Sequence, residues 1–121
     1  MLSLPPSVRI FLCLSHADMR RGFDALARMA QEVFEQDPLS GHLFVFRSRR
    51  GDRLKILYWD RDGFALWYKR LEEGTFAFPE AAGPGACISA SDLAMILGGI
   101  EAGAARRRKR YQKGEDCSFS P

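Results

Sequence analysis

The sequence predicts an α+β fold, an antiparallel β-meander of four to five strands with two helices, plus a basic C-terminal tail. Three observations lead there. At 121 residues, 46% of them hydrophobic, the chain is long enough for one compact core and too short for two. Residues 37–78 gather aromatic and β-branched side chains into alternating runs separated by Gly, Asp and Ser, which is a strand-and-turn signature. Segments on either side of that stretch repeat apolar residues at the helical period. Together these give one domain over residues 1–105 and a basic, flexible tail over 106–121.

Val8 to Leu14, aliphatic and β-branched after the rigid Pro5-Pro6 pair, reads as a short buried strand. A helix follows, with Asp18 as its cap. Met19, Phe23, Leu26, Ala27, Ala30, Val33 and Phe34 form its apolar face, and Arg20, Arg21, Asp24, Arg28, Gln31, Glu32 and Glu35 the polar one. Asp24 and Arg28, one turn apart, contribute only about 0.2–0.5 kcal/mol. Gly22 costs about 1 kcal/mol relative to Ala in a helix interior, so a close neighbour is expected there. Asp37-Pro38 ends the helix, because proline drives the preceding residue out of the α region.

His42 to Arg47 and Leu54 to Trp59 flank a turn made by Ser48-Arg49-Arg50-Gly51-Asp52. Asp60-Arg61-Asp62-Gly63 is a tight-turn signal before Phe64 to Arg70. Alternation assigns Phe44, Phe46, Leu54, Ile56, Tyr58, Phe64, Leu66 and Tyr68 to one face, expected to be the core beneath the helix. Arg47, Lys55, Leu57, Trp59, Trp67 and Lys69 fall on the other. That second face has two readings. Cations beside indoles can contact phosphate and stack on bases; equally, the sheet can be two-sided, its second face meeting the C-terminal segment or a partner. Thr75 to Phe78 reads as a further short strand, and Pro79 to Ala86 as a Gly-, Pro- and Ala-rich loop. Ser89 with Asp92 is a capping-box pattern, and Leu93, Ile96, Leu97 and Ile100 form the stripe of a second helix weakened at its end by Gly98-Gly99.

Charge is distributed unevenly. Residues 1–105 hold 12 Lys/Arg against 13 Asp/Glu, while residues 106–121 hold 6 against 2. Within the body, the stretch from Arg47 to Arg70 carries eight cations against three acids. Both are plausible polyanion footprints, and the like-charge run at the tail is equally readable as a solvated terminus. Cys13, Cys87 and Cys117 are odd in number and far apart, and with only His16 and His42 they predict neither a disulfide framework nor a zinc site. A reducing cytoplasm fits this usage. Arg9 interrupts the N-terminal apolar run, no basic segment precedes it, and no stretch approaches the roughly 20 apolar residues of a membrane span, so neither a signal peptide nor a membrane anchor is expected.

No catalytic constellation is evident. Metal-dependent strand transfer needs carboxylates converging on two cations, and the acids here fall in turns (Asp52, Asp60, Asp62) or on a helix surface (Asp24, Glu32, Glu35). His16 near Cys13 has no third group to orient it as a base. No Gly-rich phosphate loop ending in Lys-Ser/Thr is present, so no nucleotide cofactor is expected.

Four blocks nevertheless amount to a resemblance: Asp18-Met19-Arg20-Arg21-Gly22-Phe23-Asp24; Asp37-Pro38-Leu39-Ser40-Gly41-His42-Leu43-Phe44-Val45-Phe46; Arg50-Gly51-Asp52 leading to Lys55-Ile56-Leu57-Tyr58-Trp59-Asp60; and Tyr68-Lys69-Arg70-Leu71-Glu72 with Gly74 and Phe76. In order and spacing they resemble the TnpB-type accessory protein of insertion sequence family 66. The resemblance covers the body from about Pro5 to Ile100. It implies a small non-catalytic protein that supports transposition of a bacterial element beside a separate, larger transposase. The chain departs from the family pattern after the second helix, where Glu101-Ala102 and an Arg-rich run stand in place of an acidic residue followed by Trp.

Two functions follow as expectations. In the first the chain binds DNA at the insertion-sequence ends. Arg47, Arg49, Arg50, Arg53, Lys55, Arg61 and Lys69 would meet phosphates, Trp59 and Trp67 would stack on bases, and Arg106, Arg107, Arg108, Lys109 and Arg110 would add sequence-independent affinity. In the second it is an adapter whose aromatic sheet face docks on the transposase without touching DNA; Trp, Tyr and Arg enrichment is shared by binding hot spots and does not separate the two.

Overall fold

Two apolar tetrapeptides, Ile10-Phe11-Leu12-Cys13 and Leu43-Phe44-Val45-Phe46, set the centre of the architecture. The computed structural model describes residues 7–79 and 85–99. In it the two runs become β1 (Ile10–Cys13) and β2 (Leu43–Arg47), which lie side by side in parallel, Ile10 opposite Leu43 and Cys13 opposite Phe46. Parallel neighbours need a long crossover, and α1 (Phe23–Phe34) is that crossover. β3 (Arg53–Asp60) and β4 (Gly63–Arg70) continue from β2 as antiparallel hairpins, and β5 (Gly85–Ile88) returns antiparallel along the outer side of β1. The strand order is β4-β3-β2-β1-β5, and α2 (Ala90–Gly98) follows β5. The α+β class stands; the expected antiparallel meander holds for β2–β3–β4 alone, because β1 and β2 make the sheet mixed.

Strand side chains alternate between faces, and both faces here are cores. Phe11, Cys13, Phe44, Phe46 and Leu57 pack against Leu26, Ala27 and Ala30 of α1. Ile10, Leu12, Leu43, Val45, Leu54 and Ile56 pack with Leu93 and Ile96 of α2, together with Leu71 and Phe76. The two-sided reading of the sheet is therefore the one found, with α2 as the second cover.

The face assignment of β3 is corrected by the same register. Phe46 stands opposite Lys55, and Arg47 opposite Leu54. Leu54, Ile56 and Tyr58 thus share the α2 face with Val45 and Arg47, while Lys55, Leu57 and Trp59 share the α1 face with Phe44 and Phe46. A slip of one residue inverts every side chain of a strand.

Local details separate along the same lines. Asp18 does not cap α1; its carboxylate accepts the Arg20 backbone N–H at 2.9 Å and closes a turn ahead of the helix. The N-cap is Gly22, with no side-chain cap, so the interior glycine cost does not apply, and an added Cβ there would meet nothing within 4 Å. α1 stops at Glu35, which takes the left-handed φ of 53° before Asp37-Pro38 is reached. The capping box of α2 forms as read: the Ser89 hydroxyl accepts from the Asp92 N–H at 3.1 Å, and the Asp92 carboxylate accepts from the Ser89 N–H at 3.3 Å. Thr75 to Phe78 is not a strand. Phe76 is buried and its N–H donates to the Gly51 carbonyl at 2.7 Å. The additional strand is instead β5, where loop was expected up to Ala86. Pro5-Pro6, Ile100 and the 106–121 tail lie outside the described residues.

Candidate nucleic-acid interface

With the helices covering the middle of each sheet face, the strand ends and the outer strand β4 are what remain open. β1 and β2 run parallel, and their C-terminal ends open on one side of the molecule, together with the start of β3 and the end of β4. In open sheets with parallel strands, ligands characteristically sit outside those carboxyl ends. Here a cleft of about 560 Å³ lies between the β1–α1 loop, residues His16 to Arg20, and the β2–β3 turn, residues Ser48 to Arg53. Arg20, Arg49, Arg50 and Arg53 line it, against two acids, Asp18 and Asp52.

The turn holding Arg49 and Arg50 is fixed from several sides. The Ser48 N–H donates to the Arg53 carbonyl at 2.9 Å, and the Gly51 N–H to the Ser48 carbonyl at 3.0 Å. The Leu71 N–H donates to the Asp52 carbonyl at 2.8 Å, and the Ser48 hydroxyl accepts from the Arg53 N–H at 3.1 Å. Gly51 has φ of 82°, a conformation other residues adopt only with strain. Arg49 and Arg50 are thereby presented as an exposed pair on an anchored turn.

The opposite wall is tied to the sheet. The Ala17 N–H donates to the Arg47 carbonyl at 3.0 Å. From below, the Lys55 ammonium donates to the Met19 carbonyl at 2.7 Å and the Arg21 carbonyl at 2.9 Å. Asp18 and Arg20 form an ion pair at 2.8 Å. The Arg20 side-chain hydrogen bond, helped by the Arg20 backbone N–H, pulls the Asp18 carboxyl down to about 2, so it is anionic at neutral pH. Even with Asp18 and Asp52 counted, the guanidinium groups leave the cleft in positive excess, which suits an anionic ligand.

The residues expected to contact DNA separate into groups. Arg49, Arg50 and Arg53 come together at the cleft. Lys69, exposed, lies near that end of the sheet opposite Leu54, on the α2 face. Lys55 is corrected to an internal clamp, 6% exposed, with its ammonium on two carbonyls and 4.7 Å from the Tyr68 ring centroid. Arg47 turns inward as well; its guanidinium donates to the Phe76 carbonyl at 3.0 Å and lies 4.3 Å from the Phe78 ring centroid. Trp59 and Trp67 do not share a face. Trp59 packs edge-on against Phe64 on the α1 side, and Trp67 packs onto the α2-side core. Arg61 occupies the β3–β4 turn at the opposite end of the sheet. Arg106, Arg107, Arg108, Lys109 and Arg110 lie outside the described residues.

Three residues join the site that sequence reasoning left out. Helical spacing puts Arg20 on the outer face of a helix, but α1 begins only at Phe23 and leaves Arg20 in the loop before it. Arg70 stands opposite Arg53, and Tyr68, 48% exposed, opposite Lys55. The pairing of Leu54 with Lys69 that puts them there is a long-range register, with no local signal. Nucleophile chemistry gains nothing from the geometry: burial pushes the Cys13 thiol up, and its Sγ rests on the Ser15 carbonyl at 3.5 Å. Among the described residues no group of three His, Cys, Asp or Glu side chains could hold a metal ion, and no helix is long and apolar enough to cross a membrane.

Residues 8–107 match the protein family described as IS66 Orf2 like protein. The chain belongs to this family. IS66 Orf2-like membership makes it an insertion-sequence associated accessory protein. Two relatives come from Sinorhizobium fredii. The uncharacterized protein y4hO is 44% identical over 101 residues, 84% of this chain and 88% of the relative. The uncharacterized protein y4jC is 34% identical over 94 residues, 78% of this chain and 80% of the relative. No solved structure matches.

Proposed function

We propose that this IS66 Orf2-like chain is a non-catalytic accessory factor of transposition that grips DNA at the element ends, in the cytoplasm and beside a separate transposase. The observation carrying this reading is the arginine-lined cleft: Arg20, Arg49, Arg50 and Arg53 converge at one end of the sheet, on elements pinned by backbone hydrogen bonds. The backbone that carries these arginines is fixed, and a guanidinium can engage phosphate in a bidentate fork. Arg49 and Arg50 supply affinity rather than sequence choice, because phosphate contacts position a protein without reading bases.

The location is tested by comparing variants at the two ends of the sheet. Arg49→Ala/Arg50→Ala weakens binding to a duplex from an element end, measured by fluorescence anisotropy at low salt, while Arg61→Ala leaves it unchanged. Equal losses from both would move the interface away from the cleft. The adapter reading retains the exposed apolar side chains Phe23 and Leu39 as its support. A complex with the transposase in nuclease-treated extract that survives Arg49→Ala/Arg50→Ala, with no DNA binding by the purified chain, would favour it.

A further inference from the structure

Resting on that reading and deepening it, we infer that the site takes unpaired nucleotides, with Tyr68 as the ring on which a base stacks beside the arginine cleft. Strand pairing makes the case. Arg53 stands opposite Arg70 and Lys55 opposite Tyr68, and these two pairs are successive on the α1 face of the sheet. Three cations and one aromatic ring therefore occupy four adjacent positions. The ring is held on two sides: the Lys55 ammonium lies 4.7 Å from its centroid, and the Arg53 guanidinium donates to its hydroxyl at 3.4 Å. Lys55 is itself fixed by the Met19 and Arg21 carbonyls, so it orients the ring and is not available to a phosphate. With 48% of the residue still exposed, Tyr68 offers ring surface to solvent beside Arg53 and beside Arg70, which pairs with Glu72 at 3.2 Å.

Charge complementarity selects the occupant. Arg53 belongs at once to this patch and to the cleft holding Arg49 and Arg50, so a chain of phosphates laid along the arginines passes the tyrosine. In duplex DNA the bases are closed into the stack and present only their edges. An unpaired strand exposes base faces, and a ring next to cations is how sequence-tolerant single-strand sites are built. The indoles of Trp59 and Trp67 cannot serve together in this way, being on opposite faces of the sheet.

The test uses the full chain with one mixed-sequence oligonucleotide, presented single-stranded and as duplex, by fluorescence anisotropy at low salt. Tyr68→Ala lowers the ratio of single-strand to duplex affinity by about tenfold, the scale of one lost base stack. Tyr68→Phe keeps the ring and restores the ratio. Tyr68→Leu, which retains an apolar side chain at the strand position, behaves like Tyr68→Ala and separates a lost ring from a disturbed sheet. Arg61→Ala changes neither affinity. A ratio that Tyr68→Ala and Tyr68→Leu leave unchanged overturns the inference while leaving DNA binding intact. If the parent chain binds neither form, the DNA-binding reading falls with it.

Discussion

The Lys55 ammonium is buried, the residue being only 6% exposed, and is bonded to the carbonyls of Met19 and Arg21. A buried ammonium is tolerable only with such partners, and no local pattern announces that two carbonyls from a distant loop will arrive. Lys55→Met keeps the aliphatic stem, removes the donors and leaves both carbonyls short of a partner, so unfolding in urea is easier by about 1–3 kcal/mol. Arg49→Ala, on the exposed turn, stays within about 0.5 kcal/mol of the parent. A Lys55→Met protein as stable as the parent would mean that the clamp contributes nothing. Asp18 gives a second prediction at this scale. Its folded pKa is depressed from 3.8 to about 2, so its contribution is fully present above about pH 4 and is lost as pH falls through about 2. The Asp18 carboxyl followed by NMR titrates near about 2, and Arg20→Ala moves that midpoint up toward 3.8. An unmoved midpoint would remove the Arg20 side chain as its cause.

Elements with a local chemical signature were legible; those defined by distant partners were not. Ser89 and Asp92 announce the start of α2 by spacing alone, and the reciprocal hydrogen bonds form as that spacing requires. Ser89→Ala removes one of them and lowers thermal or denaturant stability by about 1 kcal/mol; no change on substitution would show that α2 is held by Leu93 and Ile96 regardless of its cap. β3 defeats alternation for a definable reason. Leu54, Ile56 and Leu57 are all fully buried because the sheet has a core on each side, so apolar residues at successive positions leave the phase of the strand undetermined. The uninterrupted apolar runs of β1 and β2 carried a usable signal, since strands buried on both faces read that way when parallel. β5 had no such signal. Gly85-Ala86-Cys87-Ile88 is a strand because β1 offers it a partner, and Gly85 fits because its missing side chain leaves room for the Phe34 ring.

For the whole molecule, two helices cover the middle of the two sheet faces, and the arginines of the cleft collect at one end of the sheet. The basic character of residues 47–70 was visible in the sequence. Its division was not: Arg47 and Lys55 serve the interior, Arg61 goes to the far end, and Arg49, Arg50 and Arg53 meet Arg20 from a segment nearly thirty residues earlier. Four guanidinium groups on a DNA backbone have a thermodynamic signature, because each phosphate neutralised releases counterions and adds about −0.9 to the slope of log affinity against log salt. The decisive measurement is that slope, for the parent chain and for Arg49→Ala/Arg50→Ala, on a duplex from an element end. A parent slope of about −3.6 or steeper, made shallower by about 1.8 in the double variant, is the predicted result. Affinity indifferent to salt, or a slope that the double variant leaves untouched, would contradict the cleft as the surface that holds DNA.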